Sequence, residues 1–213
     1  TFEEVSASRG YHKSRALRAR VPKTLHGSTP PRMPRKNFVH VAGEELYLRA
    51  YGLTFGAARL DPGTKLLLET LAADGQFAAN STVVDLGSGN GTVAAFLAKH
   101  FASVQVIATD DSASAVESTQ QTLAANEIAG VEVMHQAGLE ELADESVDAV
   151  VLNPPFHRGT EITSDVAFYL FDEAARVLKP GGVLWTVFNA ARQYRPHLTH
   201  RVGPTWQLAR DQR

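Results

Sequence analysis

Asn153-Pro154-Pro155-Phe156-His157 follows the apolar run Ala149-Val150-Val151-Leu152 and brings together a carboxamide, two rigid residues, an aromatic ring and an imidazole. Two prolines alone would make only a rigid turn. With these neighbours they can do chemistry. The lone pair of an aromatic exocyclic amine is delocalised into its ring, so the nitrogen is a weak nucleophile. Two acceptors placed on its hydrogens, the Asn153 side-chain oxygen and the Pro154 carbonyl, favour a pyramidal nitrogen with its lone pair aimed at an incoming methyl. Pro154 and Pro155 restrict the backbone and hold that carbonyl in place, which is catalysis by orientation. Phe156 offers a flat face on which a flipped base can stack. His157 either helps remove a proton or, as favoured here, contacts substrate together with the adjoining Arg158. No metal, thiol or strong base is required, because the nitrogen becomes acidic as the methyl arrives.

A methyl donor needs a site, and the second constellation supplies one. Thr82-Val83-Val84-Asp85-Leu86-Gly87-Ser88-Gly89-Asn90-Gly91-Thr92 is an apolar strand running into three alternate glycines and then a helix. Glycines let a ligand lie against bare backbone, and a helix N-terminus offers amides to an anionic group. A triphosphate loop needs Lys followed by Ser or Thr after the last glycine, and this loop has Thr92-Val93. A dinucleotide loop needs a third glycine at position 92, which is Thr. A plain strand-to-helix turn leaves Asp85 without a reason, since an acid at the end of an apolar strand requires a donor or a cation. S-adenosylmethionine (SAM) offers an ammonium for that acid and a carboxylate for the amides, so Asp85, Gly87, Ser88, Gly89, Asn90 and Gly91 are assigned to this cofactor. The next strand, Val104 to Thr109, ends in Asp110-Asp111, about 20 residues beyond the glycines, where a carboxylate can accept both ribose hydroxyls. Asp110 is given that role. Asp111 shares it or, with Ser112, caps the following helix.

The elements that carry these loops alternate. Helix 64–73, strand 82–86, helix 91–100, strand 104–109, helix 113–126, strands 131–135 and 147–152, helix 165–178 and strand 182–188 predict an α/β, Rossmann-like fold. Its central sheet is mostly parallel with helices on both faces, and both loops fall at the carboxyl edge, where such sheets bind ligands. Lys179-Pro180-Gly181-Gly182 reads as a helix stop and turn. Phe38 to Val41 and Leu46 to Leu48 read as a hairpin ahead of the main domain. A helix near 194–202 precedes Trp206-Gln207-Leu208, which reads as the start of a strand whose sheet partner is missing. Arg192, Arg195, His197, His200 and Arg201 are either contacts for substrate phosphates or ordinary surface charge.

The formal charge of −2 hides a polarity. Residues 1–40 hold nine Lys or Arg against Glu3 and Glu4, about +7, which leaves 12 basic and 21 acidic residues, about −9, for the rest. Residues 1–36 read as a basic, proline-containing linker or tail, with four prolines between Val21 and Pro34, and residues 37–213 as the main domain. The basic stretch is either an arm for a polyanion or a solvated linker. Arg9 to Arg20 reads as a basic helix or a frayed end. The absence of cysteine excludes disulfides, a thiolate zinc site and cysteine nucleophilic catalysis. No apolar run reaches membrane-spanning length, and no apolar signal core opens the chain, so a cytoplasmic monomer without metal is expected.

With Asn153-Pro154-Pro155-Phe156-His157, Gly159 and the glycine loop in view, the chain resembles the methyltransferase small-domain family. It is most similar to the bacterial ribosomal RNA guanine-N2 methyltransferases. Gly52-Leu53 and Asp61-Pro62-Gly63-Thr64-Lys65-Leu66-Leu67-Leu68 are a supporting match. The resemblance implies a class I SAM-dependent fold, with Thr64 helping to enclose the cofactor and ribosomal RNA or a ribosomal subunit as partner. Where the family often places Asp or Asn beside the adenine, this chain has Gln136-Ala137-Gly138, so backbone groups of Ala137 and Gly138 are assigned there. Arg9-Gly10-Tyr11-His12-Lys13-Ser14-Arg15-Ala16-Leu17 resembles the tail of a preceding degenerate domain, which would make this chain a C-terminal half. A protein-glutamine or DNA-adenine methyltransferase with the same loop, and a non-catalytic RNA-binding module, are the alternatives.

Overall fold

The computed structural model describes residues 4–9, 16–20, 32–52, 54–155 and 164–211. The chain divides into two compact units, Thr1–Met33 and Pro34–Arg213. In the first, β1 (Glu4–Ala7) pairs antiparallel with β2 (Leu17–Arg20), with Glu4 opposite Arg20. Leu17-Arg18-Ala19-Arg20 alternates with period two, and this corrects the expectation of a basic helix there. Most of the proline-rich segment lies outside the described residues.

The second unit opens on a hairpin, β3 (Arg35–Val41) and β4 (Glu44–Ala50), whose Ala42-Gly43 turn has φ of 48° and 84°. Two positive φ values in a two-residue turn match the twist of the flanking strands. Then come α1 (Pro62–Asp74), β5 (Thr82–Leu86), α2 (Thr92–His100), β6 (Gln105–Asp110), α3 (Ala113–Ala125) and β7 (Glu132–His135). After these follow β8 (Val147–Leu152), α4 (Ser164–Val177), β9 (Leu178–Thr186) and α5 (Arg195–Arg201). The five strands β5 to β9 form one parallel sheet in the order β7-β6-β5-β8-β9.

Strand alternation sends side chains to two cores. Val83, Ala149 and Val151 face one side with Leu68, Phe96, Leu97 and Leu123, while Val84, Leu86, Val150 and Leu152 face the other with Phe171, Ala174 and Leu198. Helices therefore cover both faces, and the central strands β5 and β8 are apolar on both apart from Thr82, Asp85 and Asp148, in keeping with buried parallel strands.

Two expectations need correction. Lys179 to Gly182 is not a turn between elements. It lies within β9, where Leu178 pairs with Val147 and Val183 with Ala149, so the extra residues bulge opposite Asp148. Lys179 Nζ reaches both Asp148 oxygens at 2.9 Å, and the proline is tolerated because β9 is an edge strand of the described sheet. Trp206-Gln207-Leu208 forms no strand, and Trp206 is exposed.

The free edge of β4 is closed by a helix. Ser118, Thr122 and Asn126, four residues apart on α3, meet Tyr51, Arg49 and Tyr47, two apart on and just after β4. Asn126 accepts from Tyr47 N–H at 2.9 Å and donates to its carbonyl at 2.9 Å. Thr122 accepts from Arg49 N–H at 3.0 Å and donates to its carbonyl at 3.2 Å, and Ser118 accepts from Tyr51 N–H at 2.9 Å. Four helix residues advance about 6.0 Å and two strand residues about 6.6 Å, so the registers nearly match over this short span. These bonds seat the hairpin on the sheet's outer layer and start the 51–61 segment toward the carboxyl edge. Thr122→Val should strip both partners from Arg49 and lower unfolding free energy in urea by about 1–3 kcal/mol, with Thr122→Ser near wild type. A loss under about 0.5 kcal/mol in Thr122→Val would show that the edge is held by other contacts.

Candidate active site at the carboxyl edge of the sheet

The glycine loop leaves β5 with its amides turned inward. Gly87 and Ser88 N–H both donate to the Thr109 carbonyl, at 2.9 and 2.8 Å, and Gly89 N–H donates to Asp110 Oδ2 at 2.9 Å. Gly91 N–H donates to the Ser88 carbonyl, Thr92 N–H to Asn90 Oδ1 and Ala94 N–H to Asp85 Oδ2. The expected set of free amides waiting for an anion is therefore corrected for these positions. What the glycines supply is bare surface and close approach. A Cβ on Gly91, whose φ is 76°, would lie 2.8 Å from Thr119 Cα, so α2 can start against α3 only with glycine there.

Each acid of the prediction has an address. Asp85 is buried and accepts from Ala94 N–H at 2.9 Å, so the first turn of α2 is the donor that an acid at this position requires. Burial pushes its pKa up to about 8, with Asp110 adding to the rise and the Ala94 amide opposing it. Asp110 holds the glycine loop through Oδ2 and Ser112 N–H through Oδ1, both at 2.9 Å. Burial raises its pKa against the pull of those two amides. Each oxygen keeps acceptor capacity beyond these bonds. Asp111 accepts from His135 Nε2 through its backbone carbonyl at 3.1 Å, and Ser112 is the α3 N-cap without a side-chain cap bond.

Asn90 and Ser88 work internally. Asn90 Nδ2 donates to the carbonyls of Ala57 and Arg59 at 2.8 and 3.1 Å, and its Oδ1 accepts from Thr92 N–H and Oγ1. That uses the full capacity of a carboxamide, so Asn90 clamps the 54–60 segment onto the loop instead of offering its side chain to a ligand. Ser88 Oγ lies 3.0 Å from Thr119 Oγ1 in the α3 packing.

Beyond β7, Tyr169 Oη donates to the Ala137 carbonyl at 2.8 Å and bonds Glu140 Oε1. A Cβ on Gly138 would meet that Oη at 2.7 Å. Tyr169 thus fixes the segment assigned to adenine, and only its place on α4, unmarked by any motif, could have revealed it. Among the five basic residues after β9, His197 Nε2 and Arg201 Nε both bond Asp172 Oδ1, at 2.9 and 2.8 Å, and Arg195 donates to the Thr205 carbonyl. His197 and Arg201 are therefore tied to α4.

Asn153 follows β8 directly. Its Nδ2 donates to Asp61 Oδ2 at 3.1 Å and to Thr64 Oγ1 at 3.0 Å. Its Oδ1 is buried and has no partner among the described residues. Pro154 is buried and Pro155 exposed, while Phe156, His157 and Arg158 lie outside the described residues. Thr64, expected to help enclose the cofactor, accepts from Asn153 through its hydroxyl. Among the described residues the other buried side-chain oxygens without a partner are Thr109 Oγ1 and Thr186 Oγ1. All three sit at the carboxyl ends of strands, which is where a polar ligand would satisfy them. Among the described residues no cluster of three metal-ligating side chains occurs, and no helix is long and apolar enough to cross a membrane.

This geometry agrees with the comparisons. The Methyltransferase small domain matches residues 46–213, and the chain belongs to that family. It is 41% identical over 160 residues to the ribosomal RNA large subunit methyltransferase G of Streptomyces coelicolor, covering 75% of this chain and 42% of that protein. It is 32% identical over 165 residues to the ribosomal RNA small subunit methyltransferase C of Vibrio cholerae, covering 78% and 46%. The chain thus spans less than half the length of these relatives. Among solved structures, the T. thermophilus 16S rRNA N2 G1207 methyltransferase in complex with AdoMet and guanosine superposes with a TM-score of 0.78 at 29% identity, covering 94% of this chain and 53% of that one.

Asp85 gives the site a pH signature. Its carboxyl takes up a proton near pH 8 when folded but near 3.8 at its ordinary value, so between these the folded state holds the extra proton and stability falls as pH rises. Melting temperature of the ligand-free protein should decline from pH 5 to 8, and Asp85→Asn, which keeps an acceptor for Ala94, should flatten that decline. An equal decline in both proteins would place the titration elsewhere.

Proposed function

We propose that this chain carries the catalytic region of a SAM-dependent N-methyltransferase that acts on the exocyclic N2 amine of a guanine in ribosomal RNA. The observation that carries the reading is Asn153: its amide nitrogen is spent on Asp61 and Thr64, and its buried oxygen is left to accept. Bound SAM supplies an electrophilic methyl. The chain supplies everything that makes a poor nucleophile ready for it. Asn153 Oδ1 and the Pro154 carbonyl accept the two amine hydrogens, which localises the lone pair and orients it. Phe156 stacks on the base, and His157 and Arg158 contact the nucleotide. The amine loses one proton once the methyl is attached, when it has become acidic, and this requires no strong resident base.

For the cofactor, Asp110 uses its remaining acceptor capacity on the ribose hydroxyls, and its bonds to Gly89 and Ser112 fix where those hydroxyls go. Backbone groups at Ala137 and Gly138, held by Tyr169, border the adenine. Guanine in RNA is favoured by the two ribosomal RNA methyltransferase relatives, by the guanosine-bound neighbour and by the surplus of Lys and Arg in residues 1–40, which would meet phosphates without sequence preference.

Incubation with labelled SAM and undermethylated ribosomal RNA, free and in subunits, followed by nucleoside mass spectrometry should yield N2-methylguanosine. Asn153→Ala should lower kcat by about 10²-fold or more, with SAM affinity measured by calorimetry nearly unchanged. A product methylated on adenine or glutamine would overturn the guanine assignment, and equal loss of SAM binding would overturn the role of Asn153.

A further inference from the structure

A carboxamide can rotate by half a turn with almost no change in shape, yet only one of the two orientations suits an amine substrate. With Nδ2 toward the substrate, donor would face donor. What selects the orientation is found at the start of α1. Asp61 is the helix N-cap, and its Oδ2 accepts from Thr64 N–H at 3.0 Å and from Asn153 Nδ2 at 3.1 Å. Thr64 Oγ1 lies 3.5 Å from the same oxygen and 3.0 Å from Asn153 Nδ2. These two partners differ in kind. A hydroxyl can turn its proton either way and would serve either face of the amide, whereas an ionised carboxylate accepts only. A flipped Asn153 would set its Oδ1 against Asp61 Oδ2. Gly63 leaves room for the pair: a Cβ there would lie 3.1 Å from Asp61 Oδ2 and 3.8 Å from Asn153 Nδ2.

Resting on the reading of Asn153 Oδ1 as the amine acceptor, we propose that Asp61 is the positioning residue that sets the rotation of the Asn153 carboxamide and so makes its oxygen face the substrate. The helix cap adds precision. Because Oδ2 must stay on Thr64 N–H, the oxygen presented to Asn153 is fixed by the backbone of α1 and not by a free rotor.

Four variants test this. Asp61→Asn keeps an oxygen at the capping position, since Asn caps as well as Asp, and should stay within about threefold of wild type in kcat. Asp61→Ala should lose about 10²-fold in kcat with SAM affinity and substrate KM little changed. Asn153→Asp offers an oxygen in either rotation but sets a second carboxylate against that of Asp61. It should therefore be impaired alone, whereas Asp61→Ala/Asn153→Asp should exceed Asp61→Ala in kcat. A residue that merely capped the helix would give a double variant no better than Asp61→Ala, and that result would overturn the proposal. Independently of activity, the Asn153 side-chain NH2 protons should exchange slowly with solvent in the wild type and at least tenfold faster in Asp61→Ala, as read by NMR. Equal exchange in the two would overturn the proposal, whereas wild-type protein inactive on guanine but with protected protons would overturn only the assigned reaction.

Discussion

A carboxamide with a buried oxygen at the end of a parallel strand must satisfy both a donor and an acceptor, and among the described residues only the donor is met. Asn153 Nδ2 is engaged by Asp61 and Thr64 at the start of α1, and Oδ1 has no partner among the described residues. An unpartnered buried acceptor costs on the order of 1–3 kcal/mol. That cost is met by the sheet that presents it. β8 lies between β5 and β9, is buried on both faces and lets the residue after Leu152 emerge in one place only. Thr109 and Thr186 repeat the pattern on β6 and β9, so among the described residues the unpartnered buried side-chain oxygens are gathered at one edge.

The remainder of the fold converges on holding that edge. Asn90 clamps the 54–60 segment to the glycine loop, Asp110 clamps the loop to the start of α3, and α3 in turn seats the hairpin through Ser118, Thr122 and Asn126. The hairpin and the segment after it deliver Asp61 to Asn153. Residues 92 positions apart in sequence thus meet in a side-chain to side-chain bond, set up by a short series of bonds between polar side chains and backbone. Such networks specify geometry because a missing member leaves a buried group unpaired.

Much of this was legible in the sequence. The runs at 82–86 and 147–152 were read to the residue, because strands apolar on both faces bounded by turn signals have few other readings. Asn153, Asp85 and Asp110 stood out by type and place. Their partners did not. Ser118, Thr122 and Asn126 have the spacing of a solvated helix face, and only the free edge of β4 gives them work. Asp61 looked like a lead-in to a helix, which it also is. The bulge at Lys179 to Gly182 has the composition of a turn, and the pairing with Asp148 that keeps it within β9 is a long-range fact. Local pattern fixes which elements form, while the acceptor or donor character of a partner distant in sequence decides what each polar group can do.

The central claim is that Asn153 Oδ1 and the Pro154 carbonyl receive the substrate amine. A crystal structure of this chain with guanosine and a non-transferring SAM analogue tests it most directly. The account predicts the guanine N2 within about 2.7–3.2 Å of both oxygens. A guanine seated with N2 away from Asn153, or with a ring nitrogen in that position, would contradict it.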